Sequence, residues 1–89
     1  MEKKDNNEPA SGALDPKVEL KKIGARLKSI RKGAGYSSPD KFAYDHGINR
    51  SQYGKYEAGS EDLRLSSLLK VLDKLGLTLP EFFNEDYGK

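Results

Sequence analysis

The sequence predicts an all-α domain of five helices, and two observations predict it. Apolar residues recur at three- and four-residue steps in successive segments, each bounded by glycine, serine, asparagine or proline. No stretch alternates apolar and polar residues for long enough to form a strand.

The elements follow in order. Residues 1–15 (MEKKDNNEPASGALD) are polar, carry proline and glycine and lack periodicity, so they are expected to form a disordered tail ahead of a domain spanning residues 16–89. A first helix is predicted from about Pro16, whose fixed φ suits an opening turn, to about Lys32, with Leu20, Ile23, Leu27 and Ile30 as its apolar stripe. Gly33, Ala34 and Gly35 end it. Ser38-Pro39 opens a second, short helix that stops near His46, because Gly47 tolerates the left-handed conformation that ends a helix. Asn49 caps a third helix running to about Tyr56. A fourth carries Leu65, Leu68, Leu69, Leu72 and Leu75 and stops at Gly76, with Asp62 and Ser66 both open as its cap. Thr78-Leu79-Pro80-Glu81 reads as a capping box before a last short helix with Phe82 and Phe83.

At 89 residues the chain has room for one domain. It has no cysteine, which excludes disulfides and thiolate metal sites. One histidine, no glycine-rich phosphate loop and no cluster of metal ligands leave nothing from which to build a catalytic centre, so an enzyme is not expected, nor a metal, cofactor or small-molecule ligand. No apolar run is long enough to span a membrane, so a cytoplasmic protein is expected. The 16 lysines and arginines outnumber 14 acids by little. Their distribution is more telling: between Lys17 and Lys32 stand Lys17, Lys21, Lys22, Arg26, Lys28, Arg31 and Lys32, with Glu19 the sole acid. Such a face is either simply solvated or an electrostatic footprint for phosphate.

The stretch Pro39–Ala58 (PDKFAYDHGINRSQYGKYEA) carries the motif. Two helices crossing at a tight turn need a small residue at the crossing, which Ala43 supplies. They need a glycine at the turn, which is Gly47, and an apolar anchor after it, which is Ile48. Tyr53 and Tyr56, with Phe42, form the inward stripe of the second of these helices and leave its other face free. This is the pattern of the helix-turn-helix, whose second helix enters the DNA major groove.

The sequence resembles the Cro/cI-type (XRE) helix-turn-helix family over about Ile23 to Phe83. The resemblance rests on IGARLKSIR, Phe42-Ala43, Gly47-Ile48, Glu57-x-Gly59 and LLKVLDKLGLTLPEFF, in that order and spacing. It implies a compact five-helix, lambda-repressor-like domain that binds double-stranded DNA as a homodimer and regulates transcription, as a repressor. It implies base-reading positions at Asn49, Arg50, Ser51, Gly54 and Lys55, of which arginine can grip guanine O6 and N7. Lys21, Lys22 and Arg26 would then face phosphates, together with Ser38 and with Gln52, whose alternative is to lean toward the first helix. It also implies that Arg31 and Glu57 pair with each other.

Three features depart from the family pattern. His46 stands at a position that is usually apolar and is read as a partly buried neutral imidazole. The Ser60-Glu61-Asp62 loop is acidic. The turn Tyr36-Ser37-Ser38-Pro39 is one residue longer. At the C-terminus Leu77, Leu79, Phe82, Phe83 and Tyr87 exceed what one short helix can bury. Leu79 and Phe82 are assigned to the core, Phe83 and Tyr87 to an exposed dimer surface. The rival to DNA reading is a protein-interaction module on the same fold; the polar, cationic outer face of the third helix favours DNA.

Overall fold

The computed structural model describes residues 14–60 and 63–89. The expected tail, apart from Leu14 and Asp15, lies outside the described residues, as do Glu61 and Asp62 of the acidic loop. Among the described residues there are five helices and no strand: α1 (Pro16–Gly33), α2 (Pro39–Asp45), α3 (Arg50–Glu57), α4 (Leu65–Leu75) and α5 (Leu79–Phe82).

Local chemistry sets most of the boundaries. The Asp15 carboxylate accepts from the Lys17 amide at 3.0 Å and caps α1. Ser38 caps α2 by accepting from Lys41 N at 3.2 Å, and Asn49 caps α3 by accepting from Gln52 N at 2.9 Å. Thr78 and Glu81 form the reciprocal capping box of α5, with Thr78 N donating to Glu81 Oε1 at 2.8 Å and Glu81 N to Thr78 Oγ1 at 3.3 Å. The start of α4 differs from expectation. Arg64 holds the cap position without a side-chain bond, and Ser66 lies inside the helix.

The core consists of Leu27, Phe42, Ala43, Ile48, Tyr53, Tyr56, Leu68, Val71, Leu72 and Phe82, so the predicted motif stripe is buried. In α3, Tyr53 faces α1, its hydroxyl directed at Leu27 O at 3.4 Å; burial raises its pKa above the ordinary phenol value. α1 lies against α3 so closely that a Cβ on Gly24 would collide with the backbone carbonyls of Tyr56, at 2.7 Å, and Glu57. A lone glycine inside an otherwise regular helical stripe is the sequence signal for such an approach.

Three apolar assignments are corrected. Leu65 and Leu69, placed on the inner face of α4, are 69% and 41% exposed, while Val71 is buried in their stead. Leu68, Val71 and Leu72 define the buried arc, and at 100° per residue Leu65 and Leu69 fall on its flank. Leu79, assigned to the core, is exposed; α5 is a single turn and directs Phe82 inward.

Candidate nucleic-acid interface

The turn between α2 and α3 is built as its sequence requires. Gly47 has φ +70°, and the amide of Ile48 donates back to Ala43 O at 2.8 Å, closing the end of α2. Ala43 is fully buried at the crossing. This fixes the direction in which α3 leaves the turn. With Tyr53 and Tyr56 inward, Arg50, Ser51, Gln52 and Lys55 are exposed, and Gly54 opens onto empty space, with nothing within 4 Å of a Cβ built there. Asn49 gives its side-chain oxygen to the cap and retains its amide group for an outside partner.

Two concave surfaces flank this face. On one side Asn49, Arg50 and Ser51 share a shallow hollow with Asp40 of α2, which continues past Arg50 to Ser38, Lys41 and Tyr44. On the other, Asn49 and Gln52 face Ser67, Lys70 and Lys74 of α4 across a floor of Ile48, Tyr56 and Val71. Gln52 therefore borders the hollow on the α4 side of this face.

The C-terminal end of α3 is locked by charge. The Arg31 guanidinium donates to both oxygens of Glu57, Nε to Oε2 at 2.8 Å and Nη2 to Oε1 at 3.1 Å, and its Nη1 donates to Tyr36 O at 2.9 Å. Arg31 is 3% exposed, and the Glu57 bonds raise its pKa further above the guanidinium norm. The pairing expected of these two residues is thus present, and it also holds the Tyr36 loop. Tyr36, which no sequence periodicity marks, packs edge-on against Phe42 at 5.1 Å and donates its hydroxyl to Asp45 at 2.8 Å.

The chain is 33% identical over 64 residues to the control protein C.MunI of a Mycoplasma species, covering 72% of this chain and 86% of that protein. The chain belongs to the helix-turn-helix regulator family. It is also 42% identical over 56 residues to an SPbeta prophage-derived uncharacterized HTH-type transcriptional regulator, YonR, of Bacillus subtilis (strain 168), covering 63% of this chain and 51% of that protein. No protein-family model matches the chain. No solved structure matches it significantly.

Within this helix-turn-helix frame the basic residues of α1 divide. Lys21 is exposed and lies beside Gly59, at the opposite end of α3 from Asn49. Lys22 is half-buried and pairs with Glu19 at 3.3 Å. Arg26, expected at a phosphate, is turned inward. Its Nε donates to Phe82 O at 2.8 Å and its Nη2 to Glu81 O at 3.0 Å, with Asp86 at 4.0 Å. These carbonyls end α5 and have no helical donor, which is why an arginine in reach is captured there.

The same clasp corrects the C-terminal surface. Phe83 is 41% exposed, as expected of an anchor, and packs edge-on against Phe82 and Tyr87 at 4.8 and 4.9 Å. Tyr87, assigned to the exposed dimer surface, is instead half-buried and donates its hydroxyl to Glu19 Oε1 at 2.7 Å. That bond, more than Lys22, holds the Glu19 carboxyl below its usual range, while burial and the carboxylate raise the Tyr87 phenol. His46 is half-buried with Nδ1 at 2.8 Å from Phe42 O. A carbonyl only accepts, so Nδ1 carries the proton.

Among the described residues no group of acids and histidine is arranged to hold a metal ion, and no helix is long and apolar enough to cross a membrane.

Proposed function

We propose that the protein is a sequence-specific double-stranded DNA-binding transcriptional regulator of Cro/cI (XRE) type, acting as a repressor in the cytoplasm. The observation that carries this reading is the outer face of α3. It is polar and cationic from Asn49 to Lys55, free of large apolar side chains, and presented on a glycine turn by a helix whose C-terminal end is locked through Arg31 and Glu57. A surface built for a protein partner would expose an apolar patch there. The relatives' printed names, a control protein and a transcriptional regulator, support the regulatory role and weigh against an enzyme.

In this reading Arg50 grips a guanine edge, Asn49, Ser51 and Lys55 read or contact neighbouring positions, and Gly54 admits the duplex closely. Ser38, Gln52, Lys21 and Lys22 contact phosphates, and Arg26 serves the fold. One short helix reads few base pairs, so the protein acts as a homodimer on two half-sites, joined through the C-terminal end with Phe83 and Leu79.

A fluorescence titration of labelled duplex against salt tests the reading. Log affinity falls linearly with log salt, at about −0.9 per phosphate neutralised. No duplex binding at low salt would refute it.

A further inference from the structure

Beside the proposed recognition helix stands a carboxylate that works against nucleic-acid binding unless it has a task. Asp40 and Arg50 line the same hollow with Asn49 and Ser51, and share the adjoining one with Ser38, Lys41 and Tyr44. Both are exposed. The other acid of α2, Asp45, is already answered by Lys41 Nζ at 3.0 Å and the Tyr36 hydroxyl at 2.8 Å, which draws Lys41 away from Asp40. Among the described residues neither Asp40 nor Arg50 has a side-chain hydrogen bond or ion pair. An acid and a base of opposite charge are thus left facing one concavity at the edge of the reading face.

We propose that Asp40 is a positioning residue that holds the Arg50 guanidinium against a guanine edge and so sets which base Arg50 accepts. The inference rests on reading α3 as the recognition helix. A guanidinium has five donors in one plane; two serve guanine O6 and N7, and the remaining edge is free for a carboxylate. Exposed to water, such a pair gains little, because solvent screens it and both side chains lose freedom. On the duplex water is displaced, the attraction strengthens, and the fork is fixed in the plane of the base pair. A carboxylate without this role repels phosphates on every sequence alike, and one that accepts directly from cytosine N4 reads its own base independently of Arg50.

The test measures the affinities of wild type, Asp40→Asn, Asp40→Glu, Arg50→Ala and the Asp40→Asn/Arg50→Ala double variant. The ligands are the preferred duplex and three duplexes changed at the base pair that Arg50→Ala relaxes. The ratio among duplexes is the readout, and a change in the folded fraction scales all four alike and leaves it unmoved. Asp40→Asn lowers the guanine preference by roughly tenfold, within the range one bidentate contact discriminates. Asp40→Glu retains part of the preference, and in the Arg50→Ala background Asp40→Asn changes nothing further. Equal tightening on all duplexes, unchanged ratios, or an effect of Asp40→Asn that adds to that of Arg50→Ala each overturns the proposal. Wild type with no preference among the duplexes overturns the recognition-helix reading itself.

Discussion

Arg31 and Glu57, 26 residues apart in sequence, form a two-pronged ion pair that is almost wholly buried and ties the end of α1 to the end of α3. Breaking it leaves a charge in the interior without its partner, which costs far more than the pair itself contributes. Arg31→Ala and Glu57→Ala each destabilise the fold by about 3–5 kcal/mol in urea melts. The double variant Arg31→Met/Glu57→Leu costs less than the sum of the two. Single variants as stable as wild type would show that the pair does not carry the contact between these helices.

Two glycines interrupt helices, and the structure assigns them opposite responses. Alanine at an exposed helix interior is favoured over glycine by up to about 1 kcal/mol, so Gly54→Ala, which meets open space, raises the melting midpoint. Gly24→Ala places its methyl against the Tyr56 and Glu57 carbonyls and costs roughly 1–3 kcal/mol as overpacking. Equal shifts in the same direction would contradict the close crossing of α1 and α3.

At Gly47 the backbone, and not the space around it, is decisive. Its φ of +70° strains any L-residue by about 1–2 kcal/mol. A β-branched side chain fares worst, so Gly47→Val destabilises more than Gly47→Asn in the same melts. The reverse order would count against the turn.

The Glu19–Tyr87 bond gives stability an acid dependence. The folded carboxyl titrates below its usual value, chiefly because Tyr87 donates to it. Its contribution is therefore complete above the unfolded value of 4.5 and is lost as pH falls through the folded one. Tyr87→Phe reduces the loss of stability on acidification below that value. Parallel pH profiles for wild type and variant would show that the C-terminal clasp makes no such contribution.

Features that depend on near neighbours in sequence were legible in it. Ser38, Asn49 and Thr78 cap where local pattern puts them, because a cap bonds two or three residues away. Tyr53 and Tyr56 are inward because the spacing of Phe42, Ala43, Gly47 and Ile48 leaves the turn one geometry. Arg26 and Tyr87 were not legible: their partners lie 55 to 68 residues away, and charge on a helix face does not tell which arginine a distant carbonyl captures. Leu65 and Val71 exchanged places because leucine spacing gives the period of an amphipathic helix but not the centre of its buried arc. Asp40 went unmarked because it comes to share a hollow with Arg50 only once the fold brings α2 and α3 together.

Selection of duplexes from a random pool by wild type and by Arg50→Ala tests the central claim, that α3 reads DNA sequence, most directly. Wild type enriches two related half-sites about one helical turn apart, and Arg50→Ala loses guanine preference at one base pair in each. A pool that stays random under wild type, or an enriched site that Arg50→Ala leaves unchanged at every position, would contradict it.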